Sequence, residues 1–260
     1  MAHSLPILLY HRIDRSGLST ATAPDDFRRH LQWLKENGWR ALDGAQLTHL
    51  LRSGKALPKR AFVITFDDGY ESLASAAFPI LQEFRYSAIC FLSTQFIPGA
   101  RSWKRPREAQ VDDAAFLTWD QVRALQSCGV IDFHSHTHTH RRFEECTMEE
   151  LTEDLAMPRR ILAGELGLPE RHFDHLAWPW GRSTPEWRAL AHRLGYRYQY
   201  TVARQSFERH GPLDDIPRTC FDAAAFPQFQ RQIWLQSGSI GRMWNFAYPF
   251  GRRLRQITGF

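Results

Sequence analysis

Residues 60–84, RAFVITFDDGYESLASAAFPILQEF, combine a strand, a pair of acids and a helix in one continuous stretch. The apolar run before the acids predicts a buried strand, and the residues after them show the pattern of a helix. Asp67 and Asp68 lie between the two, and Gly69 permits a tight turn. Neighbouring side chains point in different directions, so one acid could bind a metal while the other stays free as a base. An ordinary helix start with an acidic first turn is the alternative.

Short apolar runs alternate with helical patterns along most of the chain. Further strands are predicted at 5–10, 86–92, 130–135, 173–179 and 196–203, and further helices at 23–39, 118–129, 147–167 and 183–195. Thr118 and Ser183 are the expected N-caps, and Pro79 is a candidate kink. This alternation predicts an α/β fold with a mainly parallel sheet. Beyond residue 205 the pattern is too weak to assign.

Polar residues follow directly on four of the predicted strands. They are His11, the pair Asp67 and Asp68, the histidine run that begins at His134, and WPWG at 178–181. Ligands of parallel α/β folds sit at the carboxyl ends of the strands, and in barrels the catalytic residues come from several such ends. We therefore expect these four features to meet at one end of the sheet.

The histidine run reads FHSHTHTHRRF at 133–143 and carries His134, His136, His138 and His140. On a strand this spacing would put all four on one face, whereas on a helix only pairs four apart would meet. The spacing does not choose between these arrangements or exclude a solvated loop, but the density of histidines favours a metal site. Asp with two His is a common catalytic zinc set that leaves a position for an acidified water molecule. A free carboxylate beside it would suit hydrolysis of an amide or ester.

The overall composition sets limits on location and partners. The formal charge of +5 permits an anionic partner, but the excess is small and the basic runs at 101–108 and 251–256 are typical of solvated loops, so we expect no nucleic-acid partner. No Cys-x-x-Cys pair is present, which argues against a cysteine metal site. No signal-peptide core or membrane-length apolar run is present either, which predicts a cytoplasmic protein. We divide the chain into a domain at 1–225 and an extension at 226–260. The extension either packs on the domain, which we favour, or lies on a membrane surface.

Three stretches, TFDDGY at 65–70, SHTHTH at 135–140 and LAWPWG at 176–181, resemble in this order the motifs of the polysaccharide deacetylase family. This family is the NodB-homology domain of carbohydrate esterase family 4. The resemblance implies a deformed (β/α)7 barrel of mainly parallel strands and a hydrolase that removes N-acetyl groups from an amino sugar in a glycan or its precursor. Two alternatives remain, a deacetylase of a small or lipid-linked amino sugar and a non-catalytic glycan-binding relative.

The resemblance also assigns roles to individual residues. In the family's second motif the first and last histidines bind the metal, which makes His136 and His140 ligands here. From the first motif, Asp68 would be the third ligand and Asp67 the catalytic base. The implied cofactor is one divalent metal ion, with zinc expected. The third motif makes the backbone N–H of Trp180 a contributor to the oxyanion hole.

Two departures from the family pattern matter. Many members carry an arginine in the third motif that tethers the base, and this chain has none there; Arg218 in IPR is a candidate substitute. Many members also take their general acid from a late Leu-x-x-His motif, whereas no histidine follows His210. ILLYHRI at 7–13 resembles the start of the circularly permuted poly-N-acetylglucosamine deacetylase branch, which makes His11 the candidate acid. A structural histidine at a strand end is the alternative.

The residues expected to bind substrate are Tyr70, Trp178 and Arg218, although packing explains the two aromatic residues equally well. FAYPFG at 246–251 matches the third motif more closely than 176–181 does. No helix and strand follow it before the chain ends, so we assign the motif to 176–181. The oligomeric state is not predicted.

Overall fold

A computed structural model describes residues 4–98, 116–238 and 240–248 of the chain. The predicted basic loop at 101–108 and the second basic run at 251–256 lie outside the described residues. The strands are β1 (Ser4–Leu5), β2 (Ile7–Tyr10), β3 (Arg12–Ile13), β4 (Ala21–Thr22), β5 (Arg40–Ala41), β6 (Ala61–Asp68), β7 (Ala88–Leu92), β8 (Ile131–Ser135), β9 (His175–Ala177), β10 (Tyr198–Val202), β11 (Phe207–Glu208) and β12 (Ile216–Cys220). The α-helices are α1 (Pro24–Glu36), α2 (Gly44–Ser53), α3 (Phe78–Phe84), α4 (Trp119–Ser127), α5 (Met148–Leu166), α6 (Pro185–Arg193) and α7 (Phe226–Leu235), and residues 240–248 are also helical.

Seven parallel strands close into a barrel, which confirms the predicted (β/α)7 fold. Around the barrel the order is β2, β12, β10, β9, β8, β7 and β6, and β6 pairs again with β2. The short strand β5 extends the sheet beyond β6. Since all seven strands run the same way, their carboxyl ends form one rim of the barrel.

Strand β6 shows how the sequence builds the two layers of the core. Phe62, Ile64 and Phe66 belong to the cluster that packs between the barrel and the helices. Val63 belongs to a second cluster, together with the aromatic residues Phe91 and Tyr200 of the barrel interior. Both faces of the strand are therefore buried, as an unbroken apolar run in a parallel sheet predicts. Burial of each large apolar side chain contributes about 1.5–3 kcal/mol.

The helix starts follow local hydrogen bonds. Thr118 caps α4 as predicted, with the reciprocal contact from Gln121 that defines a capping box. The prediction of Ser183 as a cap is wrong by one residue, because the side chain of Thr184 accepts the Trp187 N–H. Pro79 lies where a π-helical turn, Leu73–Ala77, passes directly into α3, so the helical segment is irregular beside the predicted kink.

Strand β12 lies in the part of the chain that the sequence pattern left unassigned. It pairs with β10 on one side and with β2 on the other, so it completes the barrel. The following helix α7 packs against α1, and the ring of Phe229 stacks on His30 with centroids 4.0 Å apart. None of the described helices has the length and apolar character needed to cross a bilayer. Cytoplasmic location and membrane-surface contact stay predictions.

Candidate active site

The carboxyl-end rim of the barrel brings together the polar features that follow the strands. His11 comes directly after β2, and Asp67 and Asp68 are the last two residues of β6. Across the sheet, Asp68 is level with Leu92 of β7, which is level in turn with Ser135, the residue before His136. The Trp178–Gly181 turn follows β9 at the same rim. The expected convergence of the strand ends is therefore what the fold produces.

Asp68, His136 and His140 form a compact group of metal-ligand type. The Nε2 atoms of both histidines lie 3.4 Å from the same carboxylate oxygen, Oδ1 of Asp68. Zinc bonds of about 2.0–2.1 Å at a tetrahedral angle put neighbouring ligand atoms about 3.3–3.4 Å apart. The observed separations thus match the edges of a zinc coordination polyhedron.

Hydrogen-bond accounting also indicates a cation between these three groups. His136 donates its Nδ1–H to the Ala177 carbonyl at 2.8 Å, so its Nε2 carries a lone pair. Asp68 Oδ1 is buried and has no hydrogen-bond partner among the described residues. A buried oxygen that faces two imidazole nitrogens without a shared proton is costly unless a positive ion lies between them.

The protonation states of His136, His140 and Asp68 also favour binding of a cation. Burial lowers the pKa of His136 to about 4 and that of His140 to about 4, so both rings are neutral near pH 7. Metal ligation requires neutral imidazole, and these rings therefore need not release a proton to bind an ion. Burial raises the pKa of Asp68, a cost that a bound cation would offset.

Asp67 is in a different state from its neighbour. Arg218 grips it with two parallel hydrogen bonds, of 2.6 Å to Oδ1 and 2.7 Å to Oδ2. Burial alone would raise the Asp67 pKa, but the Arg218 charge, with smaller contributions from His136 and His11, lowers it to about 2. Its Oδ2 lies 3.7 Å from His136 Nε2, so an ionised carboxylate is fixed beside the candidate metal centre.

Arg218 takes the place of the arginine that the third motif lacks. It comes from β12 instead, and its guanidinium also packs over the ring of Phe91 in the barrel interior. The candidate substitute for the tethering arginine thus occupies the tether's place. The prediction that Arg218 binds substrate is wrong, because the whole residue is 0% exposed and both terminal nitrogens are bonded inside the protein.

His11 is held by Asp222, a residue that the sequence reasoning missed. Asp222 accepts the backbone N–H of His11 at 3.0 Å, and its other oxygen lies 2.5 Å from Nδ1 of the ring. Burial alone would lower the His11 pKa, but the Asp222 charge and hydrogen bond outweigh it and raise the pKa well above its usual value. The ring keeps 21% of its surface exposed, with Nε2 as its second polar atom.

The three aromatic candidates differ in position: Trp180 lies at the site, Trp178 packs in the core, and Tyr70 is partly buried. Trp180 is 45% exposed, and its ring lies edge-on to His140 with centroids 4.5 Å apart. Trp178 is fully buried and donates its indole N–H to Gln199, which contradicts the predicted substrate contact. Tyr70 is only partly buried and stacks on Phe116. Its contact with substrate stays a prediction, as does the role of the Trp180 N–H.

Strained backbone is concentrated at the same rim. Asp68, Thr137, His140 and Trp180 all have positive φ angles, of 71°, 68°, 54° and 53°. Side chains other than glycine rarely adopt this conformation, which costs about 1–3 kcal/mol for each such residue. The fold therefore tolerates backbone strain that orients the candidate ligands and the Trp180 turn, as is common at functional sites.

A profile of the polysaccharide deacetylase family matches residues 54–199, which is more than half of the chain. The chain belongs to the polysaccharide deacetylase family. The matched segment includes the pair on β6, the histidine run and the Trp180 turn. His11, Arg218 and Asp222 lie outside it, so their placement depends on the barrel geometry described above.

Comparison with individual proteins agrees with this family. The chain is 28% identical, over 94% of its length, to the poly-beta-1,6-N-acetyl-D-glucosamine N-deacetylase of Escherichia coli K12, and spans 40% of that protein's length. Two solved structures share the fold. IcaB from Ammonifex degensii has a TM-score of 0.76 at 23% identity and covers 91% of this chain and 98% of its own. The Streptococcus pyogenes deacetylase PplD has a TM-score of 0.75 at 21% identity and covers 89% and 98%.

Proposed function

We propose that the protein is a divalent-metal-dependent hydrolase that removes N-acetyl groups from N-acetylglucosamine units of a glycan. One observation carries this proposal. Asp68 Oδ1 is buried between two neutral imidazoles with no proton to share, while the adjacent carboxylate of Asp67 is held apart by Arg218. One acid is thus available to an ion, and the other remains ionised beside it.

Asp68, His136 and His140 would hold the ion, and zinc suits their mixture of one oxygen and two nitrogen donors. A bound ion would lower the pKa of a water molecule and polarise the acetyl carbonyl. Asp67 acts as the base, since the Arg218 fork keeps the carboxylate ionised and fixed in orientation. General-base catalysis of this kind contributes about 10²–10⁴-fold in rate.

His11 acts as the acid that protonates the leaving amine. Asp222 holds Nδ1, so Nε2 is the nitrogen that remains to donate, and the raised pKa keeps the ring charged near neutral pH. The N–H of Trp180 donates to the developing oxyanion. Asp67 therefore accepts the proton from water, and His11 donates the proton to the leaving amine.

The E. coli relative is named for poly-beta-1,6-N-acetyl-D-glucosamine, and the early tyrosine–histidine pair of this chain resembles the start of that branch. We therefore propose a β-1,6-linked N-acetylglucosamine polymer or oligomer as substrate. The half-exposed ring of Trp180 beside His140 gives a sugar ring an apolar surface next to the reacting groups.

Acetate release from defined N-acetylglucosamine oligomers tests the proposal. Purified protein is stripped with a chelator, reloaded with zinc or cobalt, and incubated with β-1,6-linked pentamer, β-1,4-linked pentamer and the free monosaccharide. We expect release from the β-1,6-linked pentamer that requires the metal. Release from the monosaccharide alone would favour a small-molecule deacetylase, and no release from any of them would favour a non-catalytic relative.

Asp67→Asn is the matched variant for this assay. It should retain the metal of the wild type, because Asp68 and both histidines are intact, and lose about 10²–10⁴-fold in rate. Acetate release at the wild-type rate would remove Asp67 from the role of base.

A further inference from the structure

A second group of acids and histidines lies at the opposite end of the same strands. Asp132 is the second residue of β8, whereas the ligand His136 directly follows the last residue of that strand. His172 precedes β9 in a short helical turn, Glu170–His172, and Asp174 immediately precedes β9. With His134 on β8, these residues form a cluster at the amino end of the barrel that the proposed reaction does not use.

Three ligand atoms of this cluster converge. Nε2 of His134 lies 3.3 Å from one oxygen of Asp132, and Nε2 of His172 lies 3.1 Å from the other. The three donors lie within 4.8 Å of one another, which puts them within reach of a single ion. The two imidazole rings are nearly parallel, with an angle of 12° between their planes, and both present Nε2 to the carboxylate.

No arginine or lysine forms an ion pair with the acids of the cluster in the described part of the chain. The ion-pair partners of Asp132 and Asp174 within 4.0 Å there are histidines. Their side chains are 21% and 16% exposed, so water screens them only in part. Two partly buried acids whose close cationic partners are limited to imidazoles attract a divalent cation.

His175 is near the cluster but is committed elsewhere. Its Nδ1 is hydrogen-bonded to the Tyr200 hydroxyl at 2.7 Å, and its Nε2 to the Thr48 hydroxyl at 2.8 Å. Both ring nitrogens are therefore occupied. By contrast, the Nδ1 of His134 is buried and has no partner among the described residues, so the contact of Nε2 with Asp132 is that ring's polar anchor.

The surroundings also fix the carboxylate. A side chain on Gly44, the first residue of α2, would collide with Asp132 Oδ2, so the start of this helix packs directly against the acid. Gln126 donates to the other oxygen at 3.3 Å. His172 keeps 35% of its side-chain surface exposed, which leaves the cluster open to ions from solvent.

We propose that Asp132, His134 and His172 form a second divalent-cation site, for an ion of the zinc class, at the amino end of the barrel. Two imidazoles and one carboxylate favour such an ion over magnesium or calcium, which prefer oxygen donors. The ion ties the turn before β9 to strand β8 and has a stabilising role. It lies apart from the proposed reaction, because Asp132 is at the start of β8 and His172 precedes β9, whereas His136 follows the end of β8.

Metal stoichiometry tests this site separately from the activity. The stripped full-length chain is dialysed against zinc and, in parallel, cobalt, and bound metal is counted per chain by mass spectrometry. We expect two equivalents in the wild type and one in each of His172→Ala, Asp132→Asn and His136→Ala. The double variant His136→Ala/His172→Ala should bind none. His210→Ala removes an exposed histidine and serves as the matched control, with two equivalents retained.

Thermal melting gives an independent readout. In the His136→Ala background, zinc should raise the melting temperature, because an ion that binds only the folded state stabilises it. That increase should disappear in the double variant. One equivalent or less in the wild type, or two equivalents retained by both His172→Ala and Asp132→Asn, would overturn the second site. Loss of acetate release with two equivalents still bound would count against the proposed function alone.

Discussion

The two ends of β8 hold the same kinds of side chain in different states. At the carboxyl-end centre, formed by Asp68, His136 and His140, the shared carboxylate oxygen has no hydrogen-bond partner. At the amino-end cluster, formed by Asp132, His134 and His172, both carboxylate oxygens already accept hydrogen bonds.

An ion entering the carboxyl-end centre replaces no protein hydrogen bond, whereas one entering the amino-end cluster must exchange hydrogen bonds for metal bonds. The desolvation cost of the first centre was met when the chain folded. We therefore expect the carboxyl-end centre to bind zinc more tightly and to release it to a chelator last.

Removing the ligand carboxylate at each end should give the largest contrast. Asp68→Asn should lower the rate of acetate release by about 10³-fold or more, since a catalytic ion supplies several kcal/mol and each 1.36 kcal/mol is tenfold. Asp132→Asn should leave that rate unchanged. Steady-state acetate release from the β-1,6-linked pentamer measures both. Equal losses in the two variants would mean that the ends of the strand do not divide their work as proposed.

Replacing the arginine that grips Asp67 tests the state of the second acid at the rim. Arg218→Met should lower the free energy of unfolding by about 3–5 kcal/mol, because the charge of Asp67 would be left buried and unpaired. Denaturant unfolding followed by circular dichroism measures this. Arg123→Met, which removes exposed ion pairs on α4, is the control and should change stability little.

The same ion pair predicts how wild-type stability depends on pH. The folded-state pKa of Asp67 is lowered to about 2, so its stabilising contribution is present above the unfolded pKa of about 3.9 and is lost as the pH falls towards 2. This part of the acid dependence should be missing in Arg218→Met. If the stability of the wild type and that of Arg218→Met fall in the same way at acid pH, the Asp67–Arg218 pair does not cause the acid dependence.

Asp222→Asn should change the pH profile of the reaction. As the proposed acid, His11 must be protonated, so we expect activity to fall as the pH rises through the His11 pKa. Loss of the Asp222 charge lowers that pKa, and the alkaline limb of kcat/KM should move to lower pH by about 1–3 units. Asp215→Asn, whose carboxylate pairs with Arg188, should leave the limb in place. An unmoved limb in Asp222→Asn would separate His11 from the acid role.

The smallest effect is expected from a single methyl group at the amino end. Gly44→Ala should cost about 1–3 kcal/mol of stability, because the new Cβ pushes on Asp132, yet acetate release should persist. Gly164→Ala is the matched control, since a Cβ there meets no atom within 4 Å and the helix interior favours alanine. Thermal melting of the two variants gives the comparison. Loss of activity in Gly44→Ala would show that the two ends are coupled.

The barrel could be predicted from the sequence because its strands are short apolar runs with helices between them. Strand β12 was not predicted, since its sequence IPRTC contains a proline and a buried arginine where an apolar run would be expected. The arginine is stable there because Asp67 pairs with it, a contact between residues that lie far apart in the chain. Asp222 was missed for the same reason, as its partner His11 lies near the other end of the chain.

The candidate ligands were predictable as residue types, but the orientation of their side chains was not. The resemblance to a family selected Asp68, His136 and His140, which spacing alone had left open. The positive φ angles at Asp68 and His140 could not be predicted, because neither residue is a glycine. The burial of Trp178 could not be predicted either, because the sequence does not indicate whether a tryptophan beside a motif faces a pocket or the core.

Strand β2 closes the barrel, since it pairs with β6 on one side and β12 on the other. His11 leaves this strand, while Arg218 lies on β12 and Asp222 follows it. A growing polypeptide therefore has no complete set of the proposed reacting groups until nearly all of its barrel has been synthesised and β2 has paired with β12. The proposed activity would then depend on closure of the barrel, and a chain arrested before residue 222 is expected to be inert even if Asp68, His136 and His140 are in place.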